Sequence, residues 1–260
     1  MIVWITGASS GIGKACALEY ASKGASLILT SRSEDKLASV SKLCIEKGAR
    51  DVRLLPYDLE DQDGIELLSE AAWKAFGKID VLFCNAGVSQ RTTVEETSME
   101  TMRKLMEINY FAPVAMTKAI LPRMVAAGGG SIAVTSSIAG LFGFPLRCGY
   151  SSSKHALYGF YETLRAEYFR KGIKVTIVCP GRVRTDISLN SIGKNGERYG
   201  KMDPGQAGGI SPEKAARKIV KAISAGKREV LVGGKELVMV YVKRFFPSLC
   251  ARIGRSIKPV

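Results

Sequence analysis

Histidine is almost absent from this chain: a single one, His155, stands among 260 residues. Zinc and most other transition-metal sites draw on imidazoles or clustered thiolates. The six cysteines (16, 44, 84, 148, 179 and 250) are scattered, with no CxxC pair and no ligand spacing to His155. No metal site and no disulfide framework is therefore expected, and the cysteines read as buried free thiols of a reducing compartment. His155 follows Lys154 directly and so falls on a different helical face, which suits packing or surface exposure better than catalysis. Long apolar runs are missing too. None approaches the roughly 18 residues that span a bilayer, and Ile2-Val3-Trp4-Ile5 is too short, and lacks the charged flank, for a signal peptide. The expected location is cytoplasmic. No repeat, low-complexity tract or linker-like break interrupts the chain, so one domain over 1–260 is expected.

Acidic residues are in short supply. Asp and Glu number 24 against 38 Lys and Arg, for a formal net charge of +14. Nucleic acid, an anionic membrane surface or an anionic cofactor would each suit that balance. Zinc-finger spacing, a helix-turn-helix pattern and a basic stripe interleaved with aromatics are all lacking, which excludes nucleic acid as the expected partner. The charge is uneven: from Lys227 onward eight Lys or Arg face two Glu, so +6 of the +14 lies in the last 34 residues.

What is present is a strict alternation. Apolar strand candidates at 2–6, 26–30, 52–56, 79–84, 131–136, 174–179 and 229–233 are separated by helix-length segments such as 14–23, 34–47, 64–76 and 98–127. That pattern predicts a doubly wound α/β fold, a parallel sheet covered on both faces. Two stretches depart from it. A Gly-rich polar stretch at 182–210 carries no clear strand and reads as a substrate lid. An apolar and basic tail at 235–260 pairs Leu237, Val238, Val240, Tyr241, Phe245 and Phe246 with Lys243, Arg244, Arg252, Arg255 and Lys258. It suits either a peripheral contact with an anionic membrane surface or closure of the core or of a dimer interface.

The first strand runs into Thr6-Gly7-Ala8-Ser9-Ser10-Gly11-Ile12-Gly13, and a helix follows at once. Gly7, Gly11 and Gly13 permit a tight turn and close approach of a ligand, while the helix start offers unpaired N–H groups to a pyrophosphate. This is a GxxxGxG variant of the dinucleotide fingerprint. The second strand ends in Ser31-Arg32-Ser33 with no acid until Glu34. A basic residue there suits the 2′-phosphate of NADP, where an acid would bind the ribose of NAD; the other reading of Arg32 is a surface arginine opening the next helix. In Tyr150-Ser-Ser-Ser-Lys154, tyrosine and lysine stack one turn apart on a helical face. The plain alternative is an exposed pair.

With these positions in hand, the chain resembles the short-chain dehydrogenase/reductase family. TGASSGIG matches its cofactor loop, including Ser9, Ser10 and Ile12; Asp58, with Leu59, matches the adenine contact; and Asn85-Ala86-Gly87 matches the element that supports the sheet and the cofactor. Asn109, Ser137, Tyr150 and Lys154 match the catalytic tetrad, and Pro180-Gly181-Arg182-Val183-Arg184-Thr185 matches the PGxVxT segment at the nicotinamide end, through Val183 and Thr185. Two departures are Cys84, where an asparagine often precedes NAG, and the added charge of Arg182 and Arg184. The wording of 188–203, with Arg198-Tyr199-Gly200, and of the tail around Lys243-Arg244-Phe245-Phe246-Pro247 resembles the hydroxysteroid-dehydrogenase-like branch. Members of that branch often carry an N-terminal membrane anchor; Met1 standing directly on strand one is read as the lack of one.

The resemblance implies strand order 3-2-1-4-5-6-7, NADP (NADPH) as cofactor, a small apolar carbonyl or alcohol as substrate, and a homodimer or homotetramer packed through helices starting near Ser98 and Tyr150. It also implies that Ser137 holds the substrate oxygen, Lys154 holds the nicotinamide ribose and Asn109 anchors a relaying water. The Tyr150/Lys154 spacing carries its own expectation. A cation ~4 Å away at an effective dielectric of ~20 would bring a phenol with pKa near 10 down by about two to three units. Leu141, Phe142, Phe144 and Leu146 either line a pocket for an apolar substrate or pack an active-site loop.

Overall fold

Residues 1–256 are described by the computed structural model of the chain. The apolar runs form strands β1 (Ile2–Thr6), β2 (Ser26–Thr30), β3 (Asp51–Leu54), β4 (Val81–Cys84), β5 (Gly130–Thr135), β6 (Ile173–Pro180) and β7 (Glu229–Val232). They pair in parallel in the order β3-β2-β1-β4-β5-β6-β7, as expected. Helices α1 (Gly11–Ala21), α2 (Glu34–Glu46), α3 (Ile65–Phe76), α4 (Met99–Met106), α5 (Ala112–Ala126), α6 (Cys148–Tyr168), α7 (Pro204–Ala207), α8 (Pro212–Ser224), α9 (Val238–Phe245) and α10 (Pro247–Ser256) complete the chain.

Alternation along the strands sorts the core into two layers. Val3, Ile5, Leu27 and Leu29 pack with residues of α1, α2 and α8, while Trp4, Ile28 and Leu82 pack with residues of α3, α5 and α6. The indole N–H of Trp4 donates to Thr30 Oγ1 at 3.0 Å, so its one polar atom is satisfied inside the core. Because β1 has β2 on one side and β4 on the other, the chain leaves the ends of these two central strands in opposite directions. A crevice opens there, where ligands of doubly wound sheets bind.

The helix expected over 98–127 is interrupted. Between α4 and α5 the backbone widens into a π-turn, Glu107–Phe111, in which the Ala112 N–H bonds Glu107 O. The physical reason is Pro113 at the start of α5, which has no N–H for the carbonyl of Asn109 four residues back. Asn109 is thereby turned inward, 1% exposed. Its Oδ1 accepts from Val88 N at 2.9 Å, and its Nδ2 donates to Val88 O at 2.9 Å and Ser153 Oγ at 3.0 Å. The residue ties the loop after β4 to α6.

The stretch 182–210 folds back as a flap closed at its base by the bridge between Val183 and Ile210, with Ser188 and Ser191 fully buried. Inside it lie a short 3₁₀ turn, Lys194–Gly196, and α7. The tail divides its apolar residues between both expected roles. Leu237, Met239, Val240, Val242 and Cys250 pack on Ile138, Leu141, Phe142 and Phe144, whereas Val238, Tyr241, Phe245, Phe246 and Leu249 face outward. Lys258 lies outside the described residues. Among those described, no helix is long and apolar enough to cross a membrane, and no cluster of His, Cys, Asp or Glu is placed to hold a metal ion. The cysteines are free thiols, all buried except half-buried Cys148, and His155 is exposed on α6.

Replacing Asn109 by alanine strands the N–H and C=O of half-buried Val88. At about 1–3 kcal/mol for each orphaned group, the variant should lose roughly 2–4 kcal/mol and melt about 5–15 °C lower. Calorimetry of the two proteins checks this, and an unchanged melting temperature would show that water replaces the amide.

Candidate active site

The turn between β1 and α1 is built by contacts that leave no room for side chains. A Cβ on Gly13 would lie 2.1 Å from Gly7 O, and one on Gly7, where φ is +65°, would lie 2.8 Å from Ala86 Cα. The loop is thus pressed onto the segment after β4. Thr6 Oγ1 accepts from Asn85 N and Ala86 N, each at 3.1 Å, and Asn85 Nδ2 donates to Thr6 O at 3.2 Å. Ser10 caps α1 in extended conformation without using its hydroxyl on the helix. The first-turn N–H groups therefore keep no side-chain partner from the cap.

A cleft of about 380 Å³ runs over this turn, within the range of small-molecule sites. Of the residues expected to bind cofactor, Gly7, Ser9, Ser10, Gly11, Ile12, Ser31, Arg32, Asp58, Leu59, Asn85, Ala86, Gly87, Tyr150, Val183 and Thr185 all line it, as does Ser137. Gly13 and Asn109 stand behind the wall and act through packing and hydrogen bonds, while Lys154 lies just beneath it, with Nζ 3.2 Å from where a Cβ on the lining residue Gly87 would be. The fit to a dinucleotide is good: a glycine cradle at a helix start, a basic end at Arg32 and Lys36, and hydroxyls at the far end.

At that far end Tyr150, 6% exposed, shares the cleft wall with Ser137, whose Oγ donates to Pro180 O at 3.3 Å and accepts from Ala139 N at 3.1 Å. Lys154, 3% exposed, donates from Nζ to Thr135 O at 2.8 Å and sits 5.9 Å from the centre of the Tyr150 ring. The electrostatics differ from the expectation drawn from spacing. Burial raises the pKa of Tyr150, opposed by the Ser137 hydroxyl and by the charges of Arg147 and Arg91. Burial also brings Lys154 down to about 7. The lysine is held by a backbone carbonyl in a dry site, and the two arginines are the cations that favour the phenolate.

Several residues at the site escaped the sequence reading. Gln90, fully buried, accepts on Oε1 from Gly149 N at 2.8 Å and Tyr150 N at 3.1 Å, fixing the start of α6. Glu236 accepts from Arg182 N at 2.7 Å and Gly234 N at 2.9 Å, holding the PGxVxT segment from the tail. Arg91 and Arg147 reach the same carboxylate oxygen of Asp203, at 3.4 and 3.1 Å. Their sequence signal was proximity: Arg91 lies four residues beyond Gly87 and Arg147 three before Tyr150. By contrast Leu141, Phe142, Phe144 and Leu146 are absent from the cleft lining, the first three packing under the tail. An apolar substrate loses the support those side chains offered it.

Comparison with known proteins agrees with this geometry. The family model described as short chain dehydrogenase matches residues 1–195. Dehydrogenase/reductase SDR family member 7B of Mus musculus is 38% identical over 259 residues, 98% of this chain and 80% of the relative. A short-chain dehydrogenase from Streptomyces avermitilis superposes with a TM-score of 0.81 at 29% identity, covering 98% of this chain and 94% of the other. An alcohol dehydrogenase from Thermococcus sibiricus, solved with 5-hydroxy-NADP, gives 0.76 at 27% identity, covering 90% and 96%. A family model over three-quarters of the chain and a relative 38% identical over nearly all of it make this an NAD(P)-dependent oxidoreductase, and the chain belongs to the short-chain dehydrogenase family.

Proposed function

We propose that the chain interconverts a ketone or aldehyde and the corresponding alcohol with NADPH. The observation that carries this reading is that Ser137 and Tyr150 line the wall of the same cleft whose other end is the glycine turn. When bound, the cofactor supplies or accepts the hydride. Ser137 Oγ holds the substrate oxygen as negative charge builds on it. Tyr150 Oη gives that oxygen its proton in reduction and takes it back in oxidation. Lys154 spends one donor on Thr135 O and would offer the others to the nicotinamide ribose. The Asn109 side chain is fully committed to Val88 and Ser153, so its backbone carbonyl, denied an α-helical donor by Pro113, is the atom left to anchor a relaying water.

NADPH rather than NADH is supported by the basic end of the cleft, where Ser31, Arg32, Ser33 and Lys36 line the wall and β2 ends without a carboxylate. Arg32 lies 4.0 Å from Asp58, with side chains 67% and 48% exposed. So loose an ion pair is worth at most about 1 kcal/mol and yields readily to a phosphate. The Thermococcus sibiricus neighbour, solved with 5-hydroxy-NADP, is in keeping with this choice. The outward face of the tail supports a second property. Val238, Tyr241 and Phe245 recur on one side of α9, with Phe246 and Leu249 beyond and exposed Lys243, Arg244 and Arg255 beside them. Apolar area rimmed by positive charge is the chemistry of contact with an anionic bilayer surface.

Tyr150→Phe should keep NADPH affinity while turnover on a panel of ketones falls by about 10²- to 10⁴-fold. Turnover above about a tenth of wild type would assign the proton to another group. In fluorescence titrations the wild type should bind NADPH at least about tenfold more tightly than NADH, and Arg32→Asp should abolish or invert that preference. Equal affinities in the wild type would overturn the assignment. With anionic vesicles at low salt the protein should float, and charge reversal of Lys243 and Arg244 should abolish it; if wild type stays in the unbound fraction, the face does not contact lipid.

A further inference from the structure

The end of the cleft beyond Tyr150 is cationic and tightly built. Arg91, with its side chain 3% exposed, donates from Nη1 to Ser89 Oγ at 3.0 Å and Gln90 O at 2.7 Å, and from Nη2 to Asp203 Oδ2 at 3.4 Å. Its buried Nε has no partner among the described residues. Arg147 donates to the same Oδ2 at 3.1 Å and rests 5.8 Å from the centre of the Phe144 ring. The other oxygen of Asp203 is taken by the N–H groups of Gly205 and Gln206, at 2.8 and 3.4 Å, as the cap of α7. One carboxylate, itself partly spent, thus serves two guanidinium groups. Asp186 also lines the cleft, but it is exposed on the flap and forms no ion pair with either arginine among the described residues.

Two further features show that the arrangement is held at a cost. Leu146, immediately before Arg147, sits at φ +61°, a left-handed conformation that disfavours a side chain, with its carbonyl taken by Thr92 N at 3.2 Å. Burial, with the neighbouring charge of Arg147, lowers the pKa of Arg91 to about 10, and Asp203 offsets this only in part. An excess of positive charge on a cleft wall, two guanidinium groups sharing one carboxylate oxygen, is relieved by an anion.

We propose that Arg91 and Arg147 are specificity residues that read a carboxylate or phosphate group on the substrate, so that the preferred carbonyl compound is an anion. The inference rests on the carbonyl-reductase reading of the same cleft. It replaces the apolar substrate with one whose charged group lies beyond the reacting carbon, on the side of the flap. Arg91 supplies fixed donors, and Arg147, one-quarter exposed, is the partner free to follow the ligand.

The test uses matched probes. Oxo-carboxylic acids with one to four carbons between ketone and carboxylate are compared with their methyl esters, and a hydroxyketone phosphate with its parent hydroxyketone, all with NADPH. The wild type should favour at least one anion over its neutral partner by about tenfold or more in kcat/KM. Arg147→Gln should bring that ratio close to one, mainly through KM, with Arg147→Lys recovering part of it. The phosphate and carboxylate arms tell the two anions apart. Neutral ketones reduced as well as the anions at every spacing, or equal losses for both in Arg147→Gln, would make the arginines a structural clasp and overturn the inference while leaving the reductase reading intact. Calorimetric titration of non-reacting carboxylates and inorganic phosphate into the NADP-loaded protein gives an independent reading. Should no ketone turn over, the reductase reading fails, yet anion binding lost in Arg147→Gln still supports the pair and absence of binding still overturns it.

Discussion

The carboxyl edge of the sheet is organised by one line of hydrogen bonds, from Thr6 through Asn85 to Thr135 and Lys154. Thr6 takes two backbone N–H groups of the loop after β4, Thr135 donates to Asn85 Oδ1 at 3.2 Å, and Lys154 donates to Thr135 O. Each bond alone contributes on the order of 1 kcal/mol. In series they join β1, β4, β5 and α6, so the glycine turn that suits a dinucleotide is coupled to the lysine beside Tyr150. Ser136 adds a parallel strut, donating to Lys154 O at 3.0 Å.

The same burial that makes this line rigid sets the electrostatics of the site. Charged forms are penalised in a dry environment, so the phenol of Tyr150 is raised and the ammonium of Lys154 lowered. Helical spacing correctly put the two residues on one face. It could not tell that the lysine would turn its head to a strand carbonyl, nor that two arginines from other segments would supply the cations facing the tyrosine. A bound nicotinamide, an ionised substrate or both would then act on a tyrosine already surrounded by fixed charge.

The tail and the flap serve this edge from outside the repeating βα pattern. Glu236 clamps the backbone of Arg182, and the inner apolar residues of α9 and α10 cover Leu141, Phe142 and Phe144. Those side chains were free to belong to a pocket or to a packed loop as far as local pattern could tell. Their partners come from more than 90 residues downstream, and covering them leaves polar and cationic groups to form that end of the cleft wall.

Strand order, the glycine turn and most of the cleft were legible in the sequence because they depend on local rules: alternation along strands, turn residues at fixed offsets, and ordered motifs that leave one family as the match. Gly7, Ser9 to Ile12, Ser31, Arg32 and the 85–87 segment all line the cleft for that reason. The break at Asn109 was legible in principle, since Pro113 cannot donate to it, yet periodicity alone runs an unbroken helix through both. What only tertiary structure decided is which side chains share a dry space. Arg91, Arg147 and Asp203 lie 56 and 112 residues apart and meet at one carboxylate oxygen, and solvent exclusion, a property of the whole packed assembly, turns that meeting into the charge of the cleft wall.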